Sequence, residues 1–267
     1  DHRDLHSFPT RRSSDLLDYF RDNFSSSGEL AFDVCEVVTL PNDEAYYGAN
    51  ADGVTDKNLK QMVVHACEAA HQGGVDFSLY DFDGDGTVDN VFIIFAGHNE
   101  AEGGGDYTLW PQSWNISEMG FSLDGLRISN FSLYSEYSGA SGYRFASIGT
   151  ICHEFCHFLG LCDLYDINGA TEGDAGTVIG TLSVMDQGNY NNEGRTPPYL
   201  TVFERRQLGL VSERKVYQPT AVTLVAVQRT TTAPVMSTSS QGEAFWMEYR
   251  DGSKWDAYVG GTGLVLY

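Results

Sequence analysis

Residues 153–163 read HEFCHFLGLCD and contain the pattern His-Glu-x-x-His. Apolar residues recur at helical spacing around this pattern, which predicts an amphipathic helix over residues 148–161. Two helical residues four positions apart lie on the same face, so His153 and His157 can direct ring nitrogens at one metal ion. Glu154 lies close enough to take a proton from metal-bound water. The pattern therefore predicts a helix that carries two metal ligands and a general base.

The residues after this helix favour metal binding over a helix with two merely buried, hydrogen-bonded histidines. Gly160 can adopt the left-handed conformation that ends a helix and turns the chain back. Asp163 follows three residues later, and a carboxylate oxygen is an acceptable zinc ligand. Three protein ligands leave the fourth position for water, which is typical of a catalytic zinc site. Asp163 is therefore the candidate third ligand.

A glycine-rich loop downstream contains Ser183-Val184-Met185-Asp186. Metzincin zinc enzymes have a methionine turn beneath the metal ligands at about this distance along the chain. Tyr190 follows five residues after Met185, and its phenol is a candidate donor to the oxyanion of the tetrahedral intermediate. A lone loop methionine or tyrosine is more often a packing or surface residue, so both assignments depend on the preceding motif.

A second motif lies at residues 81–89, which read DFDGDGTVD. They match the first three quarters of an EF-hand calcium loop, but the twelfth position is Phe92 instead of a bidentate glutamate. Four carboxylates in nine residues repel one another without a cation, which favours calcium over a solvated acidic turn. The predicted calcium ligands are Asp81, Asp83, Asp85, the Thr87 carbonyl and Asp89. The missing ligand could come from one of three residues that could equally line a substrate cleft: Glu100, Glu102 and Asp106.

Composition limits the class of partner. The 267 residues include 37 Asp and Glu against 16 Lys and Arg, which gives a formal net charge of −21. This excess argues against nucleic acid or an anionic membrane as partner. No apolar run approaches the roughly 20 residues that span a bilayer, so we expect no transmembrane segment. The 5 cysteines lack paired spacing and do not indicate a disulfide framework.

The first sixteen residues, DHRDLHSFPTRRSSDL, resemble the in-frame translation of a common sequencing-library adapter. We therefore treat residues 1–16 as artefactual and exclude them from the fold prediction.

The rest of the chain suits one large domain, or a domain with the start of another. Periodicity and turn signals predict these further elements: an amphipathic helix at 17–27, a strand at 29–40, a helix at 56–70, a central buried strand at 91–96, a short helix ending at 208 and strands beyond 215.

Together these motifs resemble the immune inhibitor A-like family of secreted bacterial metallopeptidases, a branch of the metzincin-like zinc enzymes. The matching pieces are Asp81–Asp89, Ala96-Gly97 with Glu100-Ala101 and Gly103-Gly104, Trp110-Pro111, the zinc motif through Asp166, and Met185–Gly188. The resemblance implies proteolysis, zinc bound by His153, His157 and Asp163, and Glu154 as general base. Two positions depart from the family pattern, since Cys162 replaces a usual proline and Cys156 a usual small residue. Cys162 could compete with Asp163 as a thiolate ligand.

We therefore expect an α+β, metzincin-like zincin fold with a mixed sheet, a zinc helix bordering a cleft and a β-rich C-terminal segment. The expected metallopeptidase domain spans residues 17–214, and residues 215–267 are the truncated start of a further region. The expected protein is a secreted or cell-surface monomer that acts on proteins or peptides, with catalytic zinc and structural calcium.

Two other functions stay open at this point. The first is a catalytically silent, calcium-binding surface or adhesion module of the same family. Such a module would have no need for a base between two ligands, so the intact Glu154 favours the enzyme. The second is a thiol enzyme that uses Cys156 or Cys162. It lacks the positioned histidine and acid that activate a nucleophilic thiol.

Overall fold

The computed structural model describes residues 7–24, 30–167, 176–217 and 221–267. The chain divides into two compact units. One unit comprises Asp33–Ala146, and the other combines the residues up to Phe32 with Ser147–Tyr267. We refer to them as the 33–146 unit and the 147–267 unit. Each contains helices and strands, in agreement with the α+β class predicted from the sequence.

The 33–146 unit is built on a mixed three-stranded sheet. Its helices are α1 (Glu44–Gly48) and α2 (Leu59–Gln72), and its strands are β1 (Thr87–Val88), β2 (Val91–Phe95), β3 (Gln112–Asn115), β4 (Ser122–Leu123), β5 (Leu126–Ile128) and β6 (Asn130–Ser135). In the main sheet β6 lies between β2, to which it is parallel, and β3, to which it is antiparallel. The buried side chains of Phe131 and Leu133 on β6 share a core with Met62 and Val63 of α2. The second sheet has the order β1-β5-β4.

The strand predicted at 91–96 is confirmed, but its predicted central position is wrong. Strand β2 lies at the edge of the sheet, and its Ile94 is exposed. Strand β6 holds the centre because strands pair with both of its edges, and five of its six residues are buried. A run of apolar residues alone does not reveal how many neighbours a strand has.

The strand predicted at 29–40 is also wrong, since residues 30–40 adopt no regular structure. No strand of the described structure pairs with this segment, and the side chains of Val34 and Val37 are exposed. A β-rich composition makes a strand only where a partner satisfies the backbone and neighbours cover the side chains.

Helix α2 begins at Leu59, three residues later than predicted. Asp56 does not join the helix, because its backbone is left-handed and its side chain binds a neighbouring segment. Asp56 has a left-handed φ of 52° and is almost fully buried. Its carboxylate accepts hydrogen bonds from the backbone N–H of Trp110 and the side-chain amide of Gln112. Burial raises the pKa of this carboxyl to about 7.

The 147–267 unit contains three helices and a four-stranded sheet among its described residues. The helices are α3 (Ser7–Phe24), α4 (Ile148–Phe158) and α5 (Val202–Gln207), and the strands are β7 (Ser212–Lys215), β8 (Thr232–Ser237), β9 (Ala244–Arg250) and β10 (Gly263–Leu266). The strand order is β10-β9-β8-β7, with β7 parallel to β8 and the other pairs antiparallel. None of the helices in the described residues combines the length and apolarity needed to cross a membrane.

Helix α3 begins at Ser7, within the segment that the sequence analysis set aside. Leu16 and Phe20 are buried, and the ring of Phe20 lies 5.1 Å from that of Phe155 on α4. The predicted helix at 17–27 is therefore longer at its start and ends at Phe24, while its predicted serine-rich end lies outside the described residues. The foreign origin of residues 1–16 stays a prediction.

A buried ionic network links the strands beyond residue 215 to the rest of their unit. The guanidinium of Arg250 on β9 pairs with Glu248 at 2.6 Å and with Asp256 at 2.7 Å. It also donates hydrogen bonds to the backbone carbonyls of Tyr199 and Leu182. Removing one partner from such a fully buried pair typically costs about 3–5 kcal/mol, because an uncompensated charge remains. The domain boundary predicted at residue 214 stays a prediction.

Candidate metal centre

Helix α4 presents the His-Glu-x-x-His pattern, as the sequence predicted. Its apolar stripe packs into the unit, with Ile151, Cys152 and Phe155 all buried. The helix ends in a Schellman motif at Gly160, whose φ is 100°. The N–H of Leu161 bonds to the carbonyl of Cys156, and the N–H of Gly160 to that of His157. This left-handed end turns the chain back and brings Asp163 to the histidines.

The three predicted zinc ligands converge. Oδ1 of Asp163 lies 3.1 Å from Nε2 of His153 and 3.3 Å from Nε2 of His157. One potential ligand atom from each of the three residues lies within 4.8 Å of the other two. The neighbouring Cys162 is exposed.

Hydrogen bonds on the far side of each ring set the tautomers of the two histidines. Nδ1 of His153 lies 2.9 Å from the carbonyl oxygen of Val184, and Nδ1 of His157 lies 2.9 Å from that of Leu161. A carbonyl only accepts, so each Nδ1 carries a proton and the neutral ring presents the lone pair of Nε2 to Asp163. A backbone partner of this kind also orients metal-binding histidines.

The carboxylate oxygen that both histidines face has no hydrogen-bond donor in the described structure. Oδ1 of Asp163 is buried, and no group in the described residues donates a hydrogen bond to it. Two imidazole lone pairs and a carboxylate oxygen facing one another repel unless a cation lies between them. One carboxylate oxygen and two imidazole nitrogens are a donor set that suits zinc. The residues present therefore fit a divalent metal ion.

Each Nε2 can also take up a proton, and the imidazole then faces Asp163 as a cation. The pKa shifts at this cluster therefore follow from burial and from the attraction between such a cation and the nearby carboxylates. Burial alone would raise the pKa of the Asp163 carboxyl, but the two histidines outweigh it and hold that pKa below its usual value. Burial raises the pKa of Glu154, and the two histidines oppose this shift. Burial lowers the pKa of His157, but the neighbouring carboxylates outweigh it and raise that pKa. Glu154 is thus close enough to interact electrostatically with all three candidate ligands.

The turn Ser183–Asp186 lies against the candidate ligands. Val184 and Met185 are fully buried. The Val184 carbonyl accepts the hydrogen bond from His153, and the Met185 carbonyl accepts one of 2.8 Å from the N–H of Leu164, directly after Asp163. The turn that the sequence analysis singled out through Met185 therefore touches two of the three ligand segments.

The structure adds a tyrosine that the sequence analysis missed. The ring of Tyr165 stacks on that of His153, with centroids 6.3 Å apart and an interplanar angle of 21°. Burial and the nearby Asp163 carboxylate raise the pKa of the Tyr165 phenol. Tyr165 lies inside the extended zinc motif, two residues after the third ligand, and that position is the signal that could have identified it. The predicted Tyr190 ends a short 3₁₀ helix and is 53% exposed.

Comparison with known proteins assigns this arrangement to a family. The profile described as the immune inhibitor A peptidase M6 catalytic domain matches residues 5–209, which include the cluster of His153, His157 and Asp163 and the acidic loop. The chain belongs to the immune inhibitor A family of M6 peptidases. The family resemblance predicted from the sequence is therefore confirmed, and it supports metallopeptidase chemistry.

Two relatives from bacteria illustrate the extent of the similarity. The chain is 28% identical over 205 residues to immune inhibitor A of Bacillus thuringiensis subsp. alesti, a match that covers 67% of this chain and 29% of that protein. It is 27% identical over 206 residues to the pre-pro-metalloprotease PrtV of Vibrio cholerae serotype O1 (strain M66-2), which covers 68% of this chain and 22% of that protein. The part of this M6 peptidase chain that matches thus spans less than a third of the length of either relative.

The acidic loop of this M6 peptidase brings three of its predicted ligands together. Carboxylate oxygens of Asp81, Asp83 and Asp89 lie within 4.8 Å of one another. The N–H of Asp85 donates to Oδ1 of Asp81 at 3.0 Å and to Oδ1 of Asp83 at 3.1 Å. The Asp85 carboxylate accepts the N–H of Thr87 at 2.7 Å and is not part of the group. Burial and the neighbouring aspartates raise the pKa of Asp89.

Two of the three residues considered for the remaining calcium ligand have other partners for their side chains. The Glu102 carboxylate accepts hydrogen bonds from the hydroxyl of Tyr134 and the N–H of Gly139. Glu100 accepts one from the side-chain amide of Asn50. The third, Asp106, contributes its backbone carbonyl to the N–H of Asn50.

Proposed function

We propose that this chain is the catalytic part of a zinc-dependent endopeptidase that hydrolyses peptide bonds in proteins or peptides. One observation carries the proposal. The Nε2 lone pairs of His153 and His157 face a buried carboxylate oxygen of Asp163 that lacks a hydrogen-bond donor in the described structure. Membership of the M6 peptidases supports the same conclusion.

The proposed roles follow from the chemistry of each side chain. His153, His157 and Asp163 hold the zinc, which when bound supplies a Lewis acid that polarises the scissile carbonyl and makes water more acidic. Glu154 accepts the proton from the attacking water and returns it to the leaving amine. Its burial supports this role, because a carboxylate removed from bulk water is a stronger base.

Two tyrosines compete for the role of donor to the oxyanion. Tyr190 is the candidate from the sequence, and its side chain is partly exposed to solvent. The ring of Tyr165 stacks on that of His153 close to the Asp163 carboxylate, which suits a role in orienting the candidate ligands. We propose Tyr190 as the donor. Tyr190→Phe should then lower kcat by roughly 10²–10³-fold, as loss of one oxyanion donor does. A larger loss of kcat in Tyr165→Phe, with the zinc affinity of the parent retained, would transfer the role to Tyr165.

The test of the function is metal analysis of the purified protein together with casein digestion. We expect one equivalent of zinc at the His153 site, digestion of casein, loss of digestion with a chelator and recovery on adding zinc. Zinc binding without digestion of any protein or peptide would instead favour the catalytically silent, calcium-binding surface module. Protein that digests casein equally well after complete metal removal would contradict the proposal.

We also propose a structural calcium ion at the acidic loop, held by Asp81, Asp83, Asp85, Asp89 and the carbonyl of Thr87. The short separations among three of these carboxylates support it, because the repulsion among them is offset when a divalent cation binds. Since the loop folds around the cation, the native state should bind calcium far better than the unfolded chain does.

Calcium is therefore expected to raise the melting temperature of the zinc-loaded protein. Mass action stabilises the native state by about 2.7 kcal/mol when free calcium exceeds Kd a hundredfold. The measurement is a thermal melt across a calcium titration, with Asp83→Asn/Asp85→Asn as the test variant. The matched control is Asp52→Asn, an exposed aspartate of the same unit that pairs with Lys57. The double variant should barely respond to calcium, whereas the control should respond like the parent. A parent melt indifferent to calcium would leave the loop as a solvated acidic turn.

The remaining proposals concern the context of the domain. We propose that residues 17–214 form the metallopeptidase domain, that residues 215–267 begin a further β-rich region, and that the protein acts as a monomer outside the cell or at its surface. Millimolar extracellular calcium would keep even a weak site filled, which supports that location. Sedimentation analysis of the purified chain would contradict the monomer if it gave a dimer mass at micromolar concentration.

A further inference from the structure

The turn Ser183–Asp186 orients two of the three proposed zinc ligands through backbone contacts. Its Val184 carbonyl fixes the ring of His153, and its Met185 carbonyl fixes the N–H of Leu164 beside Asp163. A displacement of the turn would therefore rotate one ligand and shift another at the same time. What holds the turn in place thus bears on metal affinity.

One end of the turn is held by a buried hydroxyl and a buried carboxylate. The Ser183 hydroxyl accepts the N–H of Met185 at 2.9 Å and donates its own proton to the Glu204 carboxylate. Ser183 and Glu204 are both almost completely buried. A hydrogen bond between two such buried groups is strong, and bulk water cannot replace it.

Glu204 is itself held rigidly, although it lies 21 residues away along the chain. It stands in the first turn of α5, where it forms a capping box with Thr201. Its second carboxylate oxygen accepts the N–H of Thr201 at 2.6 Å, and its own N–H donates to the Thr201 hydroxyl. Helix α5 therefore provides a fixed point for the Ser183 end of the turn.

The other end of the turn is held independently of Glu204. Oδ2 of Asp186 accepts three backbone N–H groups at 2.8–2.9 Å, from Val178, Ile179 and Gly180. With this end fixed, loss of the Ser183 contact should release the residues that touch the ligands and leave the loop as a whole in place.

We propose that Ser183 and Glu204 are positioning residues for the metal centre. The Glu204 carboxylate orients the Ser183 hydroxyl, this hydroxyl fixes the N–H of Met185, and the turn thereby holds His153 and the segment of Asp163 in the geometry that binds metal. The inference rests on the proposed zinc site. It adds to that site two residues that do not touch the metal but set how tightly it is held.

The test compares Ser183→Ala with Ser132→Ala. Both changes remove a completely buried hydroxyl, and Ser132 lies in the 33–146 unit, where it bonds to the Ser113 hydroxyl. The measurement is the zinc Kd of folded, metal-free protein by competition with a chelator, together with the visible spectrum of the Co²⁺ form, which reports ligand geometry. We expect Ser183→Ala to weaken zinc binding about 10- to 100-fold, the usual effect of losing an outer partner of a ligand. Its cobalt spectrum should change, and Ser132→Ala should keep the parent Kd and spectrum.

A second variant, Glu204→Gln, keeps the size of the side chain. The carboxylate of Glu204 accepts one hydrogen bond on each oxygen, from the Ser183 hydroxyl and from the N–H of Thr201. The glutamine amide has a single oxygen in place of these two, so one of the two hydrogen bonds is lost. It should therefore weaken zinc binding less than Ser183→Ala does, and it decides the question if Ser183→Ala does not fold. Parent-like zinc Kd and cobalt spectra in the folded variants would overturn the inference, and so would equal weakening in Ser132→Ala. If the parent itself binds no zinc at this site, the proposed function is contradicted, and the inference that rests on it falls with it. Failure of the inference alone is recognised by zinc binding in the parent that the substitutions leave unchanged.

Discussion

Glu154→Gln is expected to bind zinc with the stoichiometry of the parent and to lose most of its proteolytic activity. Glutamine has nearly the same shape as glutamate and leaves all three proposed ligands in place, but its amide cannot accept the proton of the attacking water. Loss of a general base typically costs about 10²–10⁴-fold in rate. Because the base acts in the chemical step, the loss should appear in kcat more than in KM.

The measurement is steady-state digestion of a casein-derived peptide by the zinc-loaded parent and variant, with metal content determined on the same samples. The melting temperatures of the two proteins serve as the control for folding. Activity of the variant within tenfold of the parent would show that Glu154 is not the base. Loss of zinc along with activity would show instead that Glu154 helps to hold the metal.

Asp163→Ala is expected to lose both zinc and activity, whereas Cys162→Ala keeps both. Asp163 contributes the oxygen on which the two Nε2 atoms converge, at 3.1 and 3.3 Å. The adjacent Cys162 is exposed and lies outside the group of residues that could bind metal. Removing one of three protein ligands should weaken zinc binding by at least two orders of magnitude, roughly 3 kcal/mol.

Cys162→Ala is the matched control, because it makes a similarly small side chain one position away. Zinc Kd values from chelator competition distinguish the two variants without depending on catalysis. The outcome that would contradict this ligand set is loss of zinc in Cys162→Ala with retention in Asp163→Ala. The thiolate would then be the third ligand, and the departure from the family pattern at position 162 would be functional.

The local features of the metal centre could be predicted from the sequence. The four-residue spacing of His153 and His157 places them on one helical face whatever surrounds the helix, because the period of an α-helix is set by its backbone. Gly160 adopts a left-handed φ because the chain must reverse there, and glycine does so without steric cost. The acidic loop was identified for a similar reason, since its alternating aspartates and glycines are a local pattern.

Features that depend on a partner distant in the sequence could not be predicted in the same way. Residues 30–40 have a strand-like composition, yet no described strand pairs with them. Strand β2 looked central from its apolar run, but β6 holds that position because strands pair with both of its edges. Propensity describes one segment at a time, whereas a sheet depends on which segments meet.

The sequence by itself determined the helix that carries the His-Glu-x-x-His pattern, the identity of the candidate ligands and base, and the family. The tertiary structure alone decided the tautomer and the orientation of those candidate ligands. The proton on Nδ1 of His153 is set by Val184, 31 residues away, and Tyr165 reaches the same ring only because the chain turns back after Gly160. The support of the turn by Glu204 joins two further segments. Helix periodicity and turn chemistry act over a few residues and can be recognised in the sequence, but a hydrogen bond between distant groups exists only where the folded chain brings donor and acceptor within about 3 Å.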